Sequence, residues 1–321
     1  MTFMKRHLQQ FALAGVILLF SALFCATSPY FWDADNLRNI LDQSTVNVVA
    51  GLGMTLVLTS GVTDLSVGSA AALTGVLTAL AMKAGAPAWA GCALALLCGL
   101  GVGLWNSLII VRVGVNPFMG TLTSMSVFSG LALVITQASP VYGLPPAFTW
   151  IGRGRIGGMP ASVLIAAALF ALIFILYYGT RCGVYVSTLG VNAEALRRCG
   201  VNDRRWRTGT FCACSLCAAV ASILITARLN CAEPLAGAAM NLDAIATSVL
   251  GGTAPRGGRA ALFGTALAGV LLALVKNGLT MWSVSSYYQE LAVGVIILVS
   301  IVLSEARRGG FWTVFYRRLA P

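Results

Sequence analysis

The chain has 321 residues, of which 58% are apolar and only 10% charged, and its mean hydropathy is +0.85. Soluble domains are about 45–50% apolar and about 25% charged. This chain has too few polar groups to cover a water-facing surface, so most of it must lie in lipid. The composition therefore excludes a soluble enzyme and a secreted disulfide-rich domain, and the single histidine, His7, argues against histidine-based catalysis or metal binding.

Lys and Arg outnumber Asp and Glu by 21 to 10, which gives a net charge of +11. A basic chain often binds nucleic acid, but these basic residues cluster in short gaps between apolar runs. Such gaps are typical of loops on the cytoplasmic side of a membrane. The charge therefore indicates membrane topology, and we expect no nucleic-acid partner.

Most of the nine cysteines lie inside apolar runs, where cysteine behaves as a small hydrophobic residue. The spacing of Cys212, Cys214 and Cys217 is compatible with a metal cluster. No histidine or carboxylate supports that cluster within the same apolar run, so we predict packing and no metal site.

Apolar segments of about membrane-spanning length follow one another along the chain. We predict an all-α polytopic membrane protein with about ten spans, at 11–27, 46–60, 67–84, 88–111, 117–137, 161–178, 208–227, 243–251, 260–282 and 291–304. The first segment follows Lys5 and Arg6 like a signal peptide, but the similar segments after it favour a retained span. The chain is a single transmembrane domain with two halves, 11–137 and 161–304. A Pro- and Gly-rich segment, 138–160, should form an irregular external loop between them.

Alternation through these spans places both termini, the long loop 181–207 and the gap with Arg256 and Arg259 in the cytoplasm. Six of the 21 basic residues depart from this pattern: Arg38, Lys83, Arg153, Arg155, Arg228 and Lys276. Aromatic clusters at 30–32 and in the tail 305–321 suit the two headgroup regions, so the tail should be interfacial.

Two glycine-rich segments interrupt the apolar pattern, one in each half. The first, 59–69, contains Gly61 and Gly68, and the second, 250–259, contains Gly251, Gly252, Gly257 and Gly258. Backbone that leaves helical geometry at membrane depth occurs where it lines a cavity, and paired interruptions indicate a transport pathway. The alternative is a pair of turns just outside the membrane.

The first interruption also contains Asp64 and Ser66. A carboxylate at the centre of a span costs roughly 2.5–3.5 kcal/mol on insertion scales, so it is usually retained for a partner or a role. Two roles are open for Asp64: a gate contact with Arg256 or Arg259, which we favour, or an acceptor for substrate hydroxyls. Asp243 at the start of 243–251 has either a pathway role or the role of a helix N-cap.

Within 181–207, the residues from 192 to 200 predict a short helix. Asn192 is the N-cap, Glu194 lies in the first turn, Arg197 and Arg198 lie in the last turn, and Gly200 ends the helix with positive φ. Ala195, Leu196 and Cys199 would form a small apolar patch that docks on another protein, although a solvated connector explains the same composition.

Four runs in this order resemble the sugar-type permeases of bacterial ATP-binding-cassette importers, the group for ribose, arabinose, xylose and allose. They are 53–69, 189–202, 242–253 and 276–289, and the similarity extends over about 31–303. The chain departs from the family at Ser129, where many relatives have Arg, and at Val191, where the family pattern has Gly.

The resemblance implies a transport subunit of the bacterial inner membrane, not an enzyme. It would pair with a second copy or a sister permease and accept a pentose, a hexose or a small polyol from a periplasmic binding protein. A cytoplasmic ATPase would hold ATP and Mg, and this chain would hold no cofactor. The resemblance also implies a coupling helix to the ATPase, formed by Gly190, Asn192, Glu194, Ala195, Leu196, Arg197, Arg198 and Gly200. Our candidate pathway or gate residues are Asp64, Ser66, Asn116, Phe118, Asp243, Asn277, Tyr287 and Gln289.

An ion-coupled secondary transporter is the main alternative. It requires coupled acidic or histidine residues within the spans, and the candidates are Asp64, Asp243 and Glu290. That alternative, like an integral-membrane enzyme, leaves the coupling-type helix unexplained.

Overall fold

The computed structural model describes the backbone of residues 2–307 and the side chains of residues 10–295 and of Leu298. It is an all-α structure with four two-residue strands. The helices are α1 (Thr2–Thr27), α2 (Ala34–Thr59), α3 (Val67–Lys83), α4 (Ala88–Ser107), α5 (Pro117–Thr136), α6 (Pro146–Arg153), α7 (Ala161–Gly179), α8 (Arg181–Val191), α9 (Ala193–Arg198), α10 (Asp203–Leu229), α11 (Gly237–Leu250), α12 (Leu262–Met281) and α13 (Ser286–Arg307). A π-helical turn, Leu108–Val113, extends α4.

Among the described residues, seven helical segments are long and apolar enough to cross a membrane. They lie in α1, α2, α4 with its π-helical turn, α5, α7, α10 and α12. This confirms the prediction of an all-α polytopic membrane protein. Two further predicted spans coincide with α3 and α11, which are 17 and 14 residues long.

Two helices begin well before the apolar runs that predicted them. α2 begins at Ala34, because its polar first turns still bury an apolar residue, Ile40. α11 begins at Gly237, so Asp243 lies inside the helix and the N-cap alternative for Asp243 is wrong. Hydropathy marks only the apolar stretch of a helix, whereas the backbone hydrogen bonds continue the helix through the polar turns beside it.

The segment 138–160 is more ordered than its composition predicts. It contains α6, which begins at Pro146, a position where the missing N–H of proline costs nothing. β1 (Val141–Tyr142) pairs antiparallel with β4 (Cys231–Ala232), and β2 (Arg155–Ile156) pairs with β3 (Met159–Pro160). The first pairing attaches the loop to the chain just after α10, and the second lies within the loop.

The core lies around α2 and α10, which pack closely through small residues. A Cβ added to Gly53 of α2 would lie 2.8 Å from the Cβ of Cys217, and Cys214 is fully buried at the same contact. Small residues let membrane helices approach and gain dispersion contacts. Cys214 and Cys217 therefore act here as apolar packing residues.

The predicted interfacial tail, 305–321, lies beyond the side chains that the structure describes. At the other aromatic cluster, Tyr30 and Trp32 are exposed. Phe31 is instead buried, with its ring centroid 5.7 Å from that of Phe24.

Candidate functional site

The first glycine-rich segment separates α2 from α3 over residues 60–66. Gly61 has φ +82°, a left-handed conformation that glycine adopts without strain. Gly68 lies outside the interruption, in the first turn of α3. There its N–H donates to Asn241 Oδ1 at 2.5 Å, and its backbone packs against that of Gly237 at the start of α11.

Asp64 is fully buried in this interruption. Its Oδ1 accepts hydrogen bonds from the Ser66 backbone N–H at 2.8 Å and from Ser66 Oγ at 2.6 Å. Asn106, from the last turn of α4, donates from Nδ2 to Asp64 Oδ2 at 3.3 Å and to Ser66 Oγ at 2.7 Å. The carboxylate therefore holds the turn together. The structure does not bring it to Arg256 or Arg259, whose side chains are exposed in the second glycine-rich segment, so the predicted gate contact with these arginines is wrong.

The second glycine-rich segment separates α11 from α12 over residues 251–261. Gly252, Gly257 and Gly258 have positive φ, whereas Gly251 has helical angles and forms the C-cap of α11. A Cβ on Gly251 would collide with the first turn of α12 at Thr265 N. Thr265 Oγ1 is 2.8 Å from Thr55 Oγ1 of α2, which attaches the first turn of α12 to α2.

The two interruptions and the end of α8 meet at a contact made of glycine backbone. A Cβ on Gly61 would lie 3.2 Å from Gly190 Cα, and a Cβ on Gly190 would lie 2.6 Å from Gly258 N. A Cβ on Gly257 would lie 2.8 Å from Gly61 Cα. In addition, the Gly258 N–H donates a hydrogen bond to Thr59 O at 2.8 Å. We call Gly61, Gly190, Gly257 and Gly258 the glycine junction. Backbones therefore touch directly where α8 meets both interruptions, with no side chain between them.

The short helix predicted at 192–200 is present as α9. Asn192 caps it by accepting from Ala195 N at 3.0 Å. Glu194 pairs with Arg197 at 3.1 Å and with Arg198 at 3.4 Å, and Gly200 ends the helix with φ +76°. The predicted N-cap and the positive φ of Gly200 are confirmed.

The prediction that Ala195, Leu196 and Cys199 form one exposed apolar patch on α9 is wrong. Leu196 is only 4% exposed and faces its own chain, Ala195 is half-buried, and Cys199 is exposed. Nearby, Val191 at the end of α8 has an exposed side chain. Leu196 therefore attaches α9 to the rest of the chain.

Asp243 and Asn277, two of the candidate pathway residues, form contacts between helices. Asp243 is 8% exposed and pairs with Lys276 Nζ of α12 at 2.6 Å. Asn277 donates from Nδ2 to Asn36 Oδ1 at 3.0 Å, which attaches α12 to the first turn of α2. They have different partners from Asp64, so the structure does not gather the candidate carboxylates into one cluster.

The other candidate pathway residues lie at helix ends. Asn116 caps α5 by accepting from Phe118 N at 3.0 Å, and the Phe118 side chain is exposed. Gln289 donates to Thr280 Oγ1 at 3.1 Å across the turn between α12 and α13, and Tyr287 is exposed.

A profile of the family described as "Branched-chain amino acid transport system / permease component" matches residues 36–301. The chain belongs to this permease family. It is therefore a transport component and not an enzyme.

Individual relatives match this permease over most of its length. The ribose import permease protein of Escherichia coli K12 is 38% identical over 297 residues, which cover 91% of this chain and 92% of that protein. The ribose import permease protein of Bacillus subtilis 168 is 34% identical over 282 residues, covering 87% and 88%. The D-allose transport system permease protein of E. coli K12 is 32% identical over 293 residues, covering 90% of each.

Sequence reasoning about this permease missed two polar partners. Asn106 interrupts an apolar run, and Lys276 lies inside a predicted span as an exception to the charge pattern. Polar residues at such positions usually have a polar partner, so the sequence could have indicated that Asn106 and Lys276 each form a polar contact. Their partners, Asp64 and Asp243, are distant in sequence and only the fold identifies them.

Proposed function

We propose that this chain is the transmembrane permease subunit of an ATP-binding-cassette importer for a monosaccharide, a pentose or a hexose, or a related small polyol. Relatives named for ribose and allose support this solute class at 32–38% identity. The family description instead names branched-chain amino acids, so the solute class needs a direct test.

The observation that carries the proposal is the glycine junction. It joins α8, which leads directly into α9, to both glycine-rich segments through backbone contacts. We assign α9 and the end of α8 as the coupling segment on which a cytoplasmic ATPase, holding ATP and Mg, would act. Closure of the ATPase would then move both interruptions together.

In this proposal α1–α5, α7 and α10–α13 are ten membrane segments of the bacterial inner membrane, and both termini are cytoplasmic. The two interruptions face the pathway and form its gate. Asp64 stabilises the turn of the first interruption. A second copy or a sister permease completes the pathway, and a periplasmic binding protein delivers the sugar on the opposite side from α9.

Reconstitution of the permease with its ATPase and binding protein in liposomes tests the proposal. We expect uptake of labelled ribose or allose that requires ATP and stops with a hydrolysis-deficient ATPase, and no uptake of labelled leucine. Dissipating ion gradients with ionophores should leave the uptake unchanged. Uptake driven by an ion gradient without the ATPase would instead identify a secondary transporter, and uptake of leucine alone would reject the sugar.

A further inference from the structure

A cavity of about 250 Å³ with a mixed polar and apolar lining lies between α2, α10, α11 and α12. Its polar lining comes from all four helices: Gln43, Asn47, Arg228, Asp243 and Lys276. Pockets for drug-sized ligands run from about 300 to 1,000 Å³, so this cavity suits one smaller molecule.

The charges at the cavity are already paired. Asp243 pairs with Lys276 at 2.6 Å, and Arg228 faces Asp42 at 4.0 Å. A site for an anion, a cation or a zwitterion offers the ligand a counter-charge, because an unpaired ionic group out of water is costly. The paired lining here favours a neutral ligand.

Hydrogen-bonding capacity remains available at the wall formed by α2. Within the part of the chain that the structure describes, the half-buried Asn47 amide has no hydrogen-bond partner, and Gln43 donates to Asn39 at 3.2 Å. An amide offers donors and acceptors together, and each hydroxyl group does the same. Asn47 is therefore matched to neighbouring hydroxyls of one ligand.

The remaining lining is apolar and includes Val46, Ile225, Met240 and Ala273. Such side chains suit the C–H faces of a sugar ring. The cavity also lies close to the predicted external loop, because Arg153 donates from Nε to the backbone oxygen of Arg228 at 2.7 Å. A ligand arriving from the external side would reach this cavity before the glycine junction.

We propose that this cavity binds one neutral polyhydroxylated molecule of monosaccharide size. Asn47 forms hydrogen bonds with two neighbouring hydroxyl groups of the ligand, while the Asp243–Lys276 pair supplies an acceptor and a donor at the wall formed by α11 and α12. The inference rests on the proposed function, since it assigns the sugar a site within this chain.

Thiol protection tests the site in the ATPase–permease complex without binding protein, so that only sugar can shield the cavity. In a Cys-free background, Ala239→Cys places a thiol in the cavity lining and leaves its polar groups intact. Ribose should slow its modification about tenfold when the site is about nine-tenths occupied. Ser139→Cys, on the exposed external loop, should react at the same rate with and without ribose.

A second pair of variants separates binding from folding. Adding Asn47→Ala to Ala239→Cys should abolish the protection. Adding Asp35→Ala, which removes an exposed polar side chain from the same helix outside the cavity, should preserve it. If both added substitutions remove the protection equally, the cavity assignment is wrong. It is also wrong if ribose gives no protection although the wild-type complex transports ribose. Either result would reject the cavity assignment and not the proposed function. A wild-type complex that transports no sugar would instead reject the proposed function.

Discussion

Gly190 shows how one missing side chain determines a contact in this protein. Glycine inside a helix costs about 1 kcal/mol relative to alanine, so its presence in α8 needs a packing reason. The reason is that a Cβ there would collide with Thr59 O and approach Gly258 N to 2.6 Å. Only glycine lets α8 rest on both interruptions.

Gly190→Ala should therefore force the glycine junction apart. We expect a loss of about 1–3 kcal/mol, typical of overpacking, and a lower ratio of sugar transported to ATP hydrolysed. The readouts are thermal unfolding of the purified permease and coupled uptake in liposomes. Gly101→Ala on α4 is the matched control, because nothing lies within 4 Å of the added Cβ. Equal behaviour of the two variants would remove the junction from coupling.

Asp64→Asn is expected to loosen the first interruption and leave sugar selection intact. The new amide N–H₂ would face donors on Ser66 or Asn106, at a cost of about 1–3 kcal/mol for an unmade hydrogen bond. ATPase stimulation by the loaded binding protein should change, while the preference order among sugars stays the same. Asp35→Asn, at an exposed carboxylate, serves as the control. A reordered sugar preference with normal stimulation would place Asp64 in the substrate site.

At the scale of the element, α9 depends on how it ends. Gly200 N donates to Arg197 O at 2.9 Å and Val201 N donates to Leu196 O at 3.2 Å, with Gly200 at φ +76°. The ion pairs of Glu194 are exposed and worth less than about 1 kcal/mol each. The capping and the buried Leu196 therefore fix α9 more firmly than its charges do.

Gly200→Val should unwind the end of α9, because a β-branched residue tolerates left-handed backbone poorly and an L-residue there costs roughly 1–2 kcal/mol. The permease should still insert, but less ATPase should co-purify with it. Gly200→Asn should retain the ATPase, since asparagine adopts this conformation more readily. Full ATPase recovery with valine would exclude this helix end from the coupling contact.

Elements were predicted well where lipid dictates the composition and less well where protein does. Every predicted span coincides with a helix, but the polar start of α2 and the helix α6 were missed. One side of α2 packs there against α1 and α12 through Ile40, and α6 packs against the end of α10 at Gly152. Both depend on contacts between residues far apart in sequence.

At the scale of the whole molecule, the proposed topology places Cys199 and Cys231 on opposite faces. In otherwise Cys-free versions, an impermeant thiol reagent added to intact cells should modify the version with Cys231 and not the version with Cys199. Cys199 is exposed in the structure, so its protection would come from the membrane and not from burial. The reverse pattern would invert the topology.

The labelling of Cys231 should also depend on pH. Burial, with a smaller contribution from Glu233, raises the pKa of the Cys231 thiol, and Arg153 opposes this. The thiolate is the reactive form, so raising the pKa lowers the reactive fraction at neutral pH. The rate should keep increasing at pH values where the rate of free cysteine has levelled off, and a plateau at the same pH as free cysteine would contradict the raised pKa of this half-buried thiol.

The sequence by itself determined the membrane character, the order of the helices, the positions of two glycine-rich segments between helices and the capping of α9. Each of these follows from local composition or from residues a few positions apart, for which hydropathy and backbone preference are sufficient. Only the tertiary structure decided that Gly61, Gly190 and Gly257 touch, that Asp64 bonds Asn106, and that Asp243 pairs with Lys276 in the lining of a cavity. These contacts join residues far apart in the chain, and packing selects them through the shapes of whole helices, which no local pattern encodes.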